Sequence, residues 1–500
     1  KSSDQLYVLH ALHLIEAAPN IDWSASVAPL LDHSSNEVRI AALHYLGRLS
    51  SLESAAATRV PVGVAERVGQ LLTASDEAIQ AAAIEAYCAI TGAQASERIL
   101  PYLSSPNLAI QSAAIAGSSR YGSTAAREIC IEVIDRWLNS QDVNRRCEAI
   151  RLIGLLPNLD RADRLIELWN NPQPEVKLAV ISAESNLRRP EFLPQLIESL
   201  ANMRVAEAAI AALAHYGAAI QPDLKRALSD THIDRAVRAK IPIVLRRLGT
   251  LTSVEILIEH LTDPDSKVRA AVELALVWLH TGHPGMAISP EKLRQAVQAE
   301  MHDYYSLYVL EQDLNLSQPE SLLADTFRMR RWEMLDRALR LLNVLYPQQK
   351  IDRVYDALRS KHSSVRASAL ELLDNVLDHH TKEALLPMIE AAPDKIIEIA
   401  QRRFHIGRHD RSARMTELLQ SDDVWLQTCA IYQIGQTGQQ GMIDSVRLAL
   451  QSANDVVRET ALAAGRLIFE RDQYLAALSN QANDDRFPVA QSYARAQLDR

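Results

Sequence analysis

Apolar residues recur three and four positions apart along nearly the whole chain, and polar turns interrupt them at regular places. Between Ser253 and Leu261, the residues Val254, Leu257, Ile258 and Leu261 fall on one side of a helix. Asp263, Pro264 and Asp265 end that helix, because proline cannot continue the ladder, and the aspartates with Ser266 can cap the next one. The pattern resumes with Val268, Val272, Ala275, Leu276 and Leu279, and Gly282 and Pro284 stop it. This stretch predicts an αα-hairpin, each helix apolar on one side. Nowhere do β-branched and polar residues alternate for long, so strands are not expected.

The second half of that hairpin, DPDSKVRAAVELA from Asp263, has echoes in SSNEVRIAALHYL from Ser34, SSVRASALELL from Ser363 and ANDVVRETALAAG from Ala453. Aligned on the arginine of V-R, the position is Arg39, Gln80, Gln111, Arg146, Lys177, Arg238, Arg269, Arg366, Glu398, Gln427 and Arg458. Successive steps of 31 (238 to 269), 32 (366 to 398), 29 (398 to 427) and 31 (427 to 458) set a period near 31 residues. The step from 269 to 366 is 97, close to three such units. Two helices per period of this length predict an all-α fold, an α-solenoid of stacked antiparallel helix pairs. One such hairpin cannot bury its own apolar face, whereas a stack can. Alanines in the second helices (Ala41-Ala42, Ala81-Ala82-Ala83, Ala113-Ala114, Ala270-Ala271) let neighbours approach closely. Arg39, Arg238, Asp265, Arg269, Arg366, Asp455 and Arg458 are the expected members of a hydrogen-bonded ladder between adjacent turns.

The pattern breaks between about Ser289 and Pro347. SPEKLRQAVQAEMHDYYSLYVLEQDL and ESLLADTFRMRRWEMLDRALRLLNVLYP both have helical periodicity, and Leu335, Leu339, Leu342 and Leu345 share a face. The expected organisation is repeats over 1–288, longer helices over 289–347, and repeats again over 348–500. The longer pair is a place for the superhelix to bend or for a partner to dock. Residues 53–63, ESAAATRVPVG, read as a surface loop that lengthens the first step to 41.

Composition agrees with helix: 48% hydrophobic residues but only 5% aromatic, with Gly 16 and Pro 20 in 500. A net charge of −9 argues against a basic stripe for phosphate, hence against nucleic acid as a partner. Cys88, Cys130, Cys147 and Cys429 lack C-x-x-C spacing and read as reduced, buried thiols, with Cys147 and Cys429 in the core of second helices. No apolar run is long enough to span a bilayer and no signal peptide is visible, so the segment is not expected to enter a membrane itself. The chain begins at Lys1, which suggests a piece of a longer protein.

Candidates for chemistry are few. RMRRWEMLDRALR (328–340) is a basic helix in which Arg328, Arg330, Arg331 and Trp332 could meet an acidic protein partner. Glu333 and Asp336 lie at helical spacing from Arg330, Arg337 and Arg340, so ion pairs along the helix explain much of its charge. His405 and His409 have the i, i+4 spacing that can chelate zinc, with Asp410 beside them, but Gly407 intervenes and no H-E-x-x-H is present. His379 and His380 are adjacent and point apart on a helix; His280 and His283 flank a helix end, where capping is the usual use. No nucleophile elbow, phosphate loop or dinucleotide fingerprint occurs. The chain is therefore expected to be no enzyme, with no cofactor, no metal and no catalytic residue.

A helix, a turn with D-x-x-V-R and an alanine-rich second helix at this period resemble HEAT repeats, in the short form of the phycobilisome-lyase HEAT-like group. A narrower resemblance rests on RAVRAKIPIVLRRLG (235–249), YYSLYVL (304–310), LRLLNVLYP (339–347), VRASALELLDNVLD (365–378) and SDDVWLQTCAIYQIG (421–435). This order is similar to the HEAT segment of bacterial fusions with a major-facilitator or nucleotide-carrier-like membrane domain, often followed by a cyclic-nucleotide-binding-like domain. Neither the membrane helices nor a nucleotide-binding β-roll is in this chain. The resemblance implies a cytoplasmic protein-interaction scaffold, tethered at the membrane as the regulatory module of a transporter-like protein. The alternative it implies is a lyase-type or chaperone HEAT protein acting on a phycobiliprotein or another client. A third reading, a nucleic-acid-binding HEAT protein of the DNA-glycosylase type, is opposed by the acidic charge.

Overall fold

The structure is a computed structural model that describes residues 5–16, 23–51, 63–171, 173–282, 288–316, 321–349, 351–421 and 423–498. Most of the expected 53–63 loop, and Pro284 with His283, lie outside the described residues. Among the described residues every regular element is a helix and none is a strand. The chain divides into two units, Lys1–Thr250 and Leu251–Arg500. In each, helix pairs stack on one another, so the fold is the all-α solenoid the periodicity predicts.

In the first unit the second helices form one continuous layer: Asn36–Ser51, Glu77–Thr91, Leu108–Tyr121, Val143–Leu155, Pro174–Leu187 and Ala206–His215 pack in chain order. Apart from Thr124–Leu138, the first helices are shorter, and they often end in a 3-10 turn, as in Val64–Gln70 with Leu71–Thr73 and Leu193–Glu198 with Ser199–Ala201. Apolar side chains such as Leu43, Ile84, Ile115, Ile150 and Ile181 are fully buried in this layer, each worth about 1.5–3 kcal/mol relative to exposure.

A fixed register of small residues sets how closely the second helices approach. Eight positions after the aligned Arg/Gln stand Gly47, Cys88, Gly154 and Gly435; six positions after it in the next helix stand Ala86, Gly117, Ala183 and Ala464. These sites face each other pairwise. A Cβ added at Gly154 would lie 2.6 Å from the Cα of Ala183, and one at Gly435 would lie 2.9 Å from the Cα of Ala464. At the Cys88–Gly117 pair the small residue is on the other side, and a Cβ on Gly117 would meet Cys88 Sγ at 2.6 Å.

The second unit starts with the pair Leu251–Glu259 and Ser266–Gly282, then changes scale. Pro290–Leu314 has 25 residues and Leu322–Leu345 has 24, so each runs about 36 Å. The 97-residue step thus holds one long hairpin and the short Val354–Leu358 helix in place of ordinary repeats. Two sets of helices pack on that hairpin. Tyr304 and Tyr305 donate to the carbonyls of Met388 (2.7 Å) and Ala384 (2.8 Å), and the Tyr305 ring stacks on Phe404, fixing the segment 354–404. Farther along, Ser321 Oγ bonds Gln433 at 2.8 Å and Trp425 Nε1 donates to Thr326 Oγ1 at 3.2 Å, so the repeats from Arg411 onward resume on the other end. The hairpin is a branch point within this unit.

Candidate interaction surface

The recurring turn builds the same local device each time. The residue four before the aligned position caps the second helix: Asp76 accepts from Ile79 N–H (3.0 Å), Asn107 from Ala109 (2.8 Å), Asp265 from Lys267 (2.8 Å), and Asn454 from Val456 (3.0 Å). The aligned side chain turns back to the carbonyl that ends the first helix. Arg39 Nε reaches Leu31 O at 3.0 Å, Arg238 Nε reaches Leu228 O at 2.9 Å, Arg269 reaches Asp263 O at 2.7 Å, and Arg366 reaches Ser360 O at 2.7 Å. Arg458 Nε donates to Ser452 O at 2.5 Å. Gln80, Gln111 and Gln427 make the same bond to Leu72, Leu103 and Leu419. Each satisfies a carbonyl orphaned at a helix end. Contact with the following unit comes from the remaining donors: Arg146 to Gln173 at 2.9 Å, and Arg458 to Gln481 at 3.1 Å. Asp455 accepts from Val489 and Ala490 N–H, capping the next helix pair.

Arg269 has a further role. It meets Glu300 at 3.3 Å and Asp303, while Arg337 reaches Glu300 at 2.6 Å and Glu273 at 3.5 Å. Glu273 and Glu300 are 1% and 0% exposed, and neither oxygen of Glu273 has a hydrogen-bond partner. Burial, then the neighbouring Glu300, pushes the Glu273 carboxyl well above the usual range; burial also raises Glu300 against the pull of both arginines. Three acids thus face two arginines in a nearly dry site. Periodicity did not single out Glu273, Glu300 or Asp303; the available signal was a charged residue on the apolar stripe beside Val272 and Ala275.

The basic helix is mostly turned inward. Arg330 pairs with Asp423 at 2.7 Å, Arg331 pairs with Glu311 and lies over the Tyr308 ring at 5.0 Å, and Trp332 meets Tyr355 edge-on at 6.2 Å. Pairing along the helix is made by Arg340 with Asp336 (2.8 Å) and by Arg328 with Asp325. Arg328 is the exposed one of the four named above.

The histidines are dispersed. The Pro393–Phe404 helix ends before His405, whose φ of +57° makes it a left-handed C-cap, so His405 and His409 do not share a helix face. His379 pairs with Glu383 at 3.2 Å. Burial lowers the pKa of His280. Among the described residues no group of three or more His, Cys, Asp or Glu could hold a metal ion. All four cysteines are free, and burial pushes the Cys88 thiol up to about 12.

In the first unit the second-helix layer leaves one register position exposed in most repeats, although in Glu77–Thr91 that position holds the half-buried Ala89. Nine positions after the aligned residue stand Arg48, Arg120, Leu155, Asn186 and Arg247, all exposed, with His215 at the equivalent place in Ala206–His215. Stacked helices lie about 8–10 Å apart, so these side chains form a row with a gap at Ala89, between Arg48 and Arg120.

A family model described as HEAT repeats matches residues 131–214 and 200–277. No curated protein matches the chain. Among solved structures, an engineered protein aligns over 90% of this chain and 100% of its own, at 18% identity and a TM-score of 0.22. The karyopherin Kap121p aligns over 98% of this chain and 56% of its own, at 12% identity and a TM-score of 0.35. Kap121p bound to the extreme C-terminus of the phosphatase Cdc14p gives 94%, 52%, 12% and 0.34. The chain therefore spans little more than half the length of the Kap121p chains it matches. The chain is an α-solenoid of stacked helix pairs, and its residues 131–277 match HEAT repeats.

Proposed function

We propose that this chain is a non-catalytic protein-binding scaffold. The observation that carries the reading is the exposed row Arg48, Arg120, Leu155, Asn186, His215 and Arg247. Apolar faces of the repeats are used in stacking, and this row is part of the remaining surface open to an extended partner. Arg39, Arg238, Asp265, Arg269, Arg366, Asp455 and Arg458 hold the turns that keep the row in register, and Arg328 is a further contact for an acidic segment. The domain division at 288 and 347 belongs to the same reading, with the long hairpin as the joint.

The finer proposal is a regulatory module beside a transporter-like membrane domain, supported by the resemblance of 235–249, 304–310, 339–347, 365–378 and 421–435 to such fusions. Among the described residues no helix is long and apolar enough to cross a membrane, so that domain would have to be supplied outside them. A photo-crosslinking residue placed at Arg120 and at Arg247 in the native gene product should give discrete protein adducts. Loss of both adducts would sink the scaffold reading. Fractionation then tests the finer claim: a product much larger than this chain in the membrane pellet is expected, and a product of this size outside it would overturn the fusion.

A further inference from the structure

The first-helix layer of the first unit carries a groove that none of the repeat geometry requires. It lies between Leu193–Glu198 and Gln221–Ser229, closed at one end by the turn 230–237, with a volume of about 610 Å³. Its floor and walls are apolar: Leu193, Ile197, Ala227 and Val237, flanked by Pro190 and Pro194. Pockets that take drug-sized ligands span about 300–1,000 Å³, so side chains of a bound segment fit.

The rim is predominantly acidic. Glu198, Asp223, Asp230 and Asp234 line it, with Arg226 as the one cation, and Asp223 already holds Arg226 at 3.0 Å. Asp230 and Asp234 face their own turn: Asp230 accepts from His232 N–H (2.9 Å) and also meets the His232 ring Nδ1 at 3.1 Å, and Asp234 accepts from Ala236 N–H (2.7 Å). In each, these bonds use one oxygen, so the carboxylate can take more. Glu198 is exposed at the end of its helix. An apolar trough between two helices, walled by carboxylates, selects an occupant that is apolar on one side and cationic on its flanks.

We infer that this groove docks a short helical polypeptide segment with one or two large apolar side chains flanked by Lys or Arg. Its apolar side chains fill the trough, in the helix-in-groove manner, and its cations meet Glu198, Asp230 and Asp234. This surface is separate from the exposed second-helix row, so the inference adds a second docking face to the proposed scaffold and rests on that reading only in taking the partner to be protein.

The test is selection from a phage-displayed library of random peptides, about four helical turns long, on the full chain. Enriched peptides should carry apolar residues at helical spacing and a Lys/Arg excess. Their affinity should fall about tenfold for Glu198→Lys, less for Glu198→Gln, and fall with added salt, as rim charges do. Leu193→Ala should weaken them through the apolar floor, and circular dichroism checks that each variant is folded. Neutral or acidic winners, or no enrichment, overturn the inference. So do winners indifferent to Glu198→Lys and Leu193→Ala. If such winners respond instead to Arg120→Glu, the scaffold reading survives and the groove does not. Peptides lost on Glu198→Lys, together with absent crosslinks from Arg120 and Arg247, would keep the groove and sink the second-helix face.

Discussion

At Gly154 an added Cβ would sit 2.6 Å from the Ala183 Cα and 2.8 Å from its Cβ, closer than carbon atoms approach. The obstacle is backbone, so the two helices must part. Gly154→Val should therefore destabilise the protein by about 1–3 kcal/mol, the range for overpacked cores. Gly441→Ala is the matched control, because a Cβ there meets nothing within 4 Å, and its effect should stay within about 0.5 kcal/mol. Urea unfolding of the two variants gives the comparison. A second residue-scale test is Gln427→Leu, which leaves the Leu419 carbonyl without its 2.9 Å donor and should cost about 1–3 kcal/mol where that carbonyl is cut off from water. These two sites differ in how readable they were. The Asp/Asn cap and the Arg or Gln after the valine recur in the chain itself, so the turn was legible. The partner of each arginine was not, because the carbonyl it reaches belongs to the backbone. The Gly–Ala register was legible only as an abundance of small residues, since pairing needs to know which helix lies beside which.

The long hairpin shows how element length changes the logic of the stack. Helices of about 36 Å offer more face than one neighbour can cover, and this unit uses the surplus to seat two groups of helices. Sequence periodicity marked 289–347 as helical and unusually long. It could not show the branching, because Tyr304 with Met388 and Ser321 with Gln433 are contacts between residues roughly 80 and 110 positions apart. Midway along the hairpin sit Arg269, Glu273, Glu300, Asp303 and Arg337, and their chemistry makes stability depend on pH. Glu273 and Glu300 have folded pKa values above the unfolded carboxyl, so the folded state holds protons that the unfolded chain releases. Their contribution is fully present below the ordinary Glu value, about 4.3, and is lost as pH rises from there through the folded values. Asp313 acts in the other direction. Burial opposes its charge, but bonds from Arg408, His409 N–H and Arg414 outweigh it and hold the pKa down, so its contribution is lost below the ordinary Asp range. Glu273→Gln removes the first dependence while leaving an acceptor for Arg337. It should raise stability at pH 8 by about 1–3 kcal/mol and leave it little changed near pH 5. Thermal midpoints across pH would show the two profiles converging as pH falls. Arg337→Met should do the opposite, leaving Glu300 with one arginine and costing about 3–5 kcal/mol, as broken buried pairs do.

At the scale of the whole molecule, the stacked pairs make stability a sum of local terms. Each pair touches its neighbours, so damage at one interface should spread no farther than the repeats that share it. Within Lys1–Thr250, the Val143–Leu155 and Pro174–Leu187 helices meet at Gly154 and Ala183, whereas Asn36–Ser51 lies several repeats away. Hydrogen exchange on Gly154→Val should therefore show faster exchange in 143–187 and in the adjoining Leu108–Tyr121 and Ala206–His215 helices. Asn36–Ser51 should keep its native rate, and so should the helices from Arg411 onward in the second unit. Uniform acceleration across all helices would mean that the chain unfolds as one cooperative body and that the repeats are not independent in energy. The local outcome has a consequence for binding. A partner lying along Arg48, Arg120, Leu155 and Arg247 would contact several separately stable repeats, and tightening one interface beneath it would tighten only that part of the row. Gly154→Val should then weaken contacts at Leu155 and Asn186 and spare those at Arg48, which the crosslinking positions along the same row can resolve.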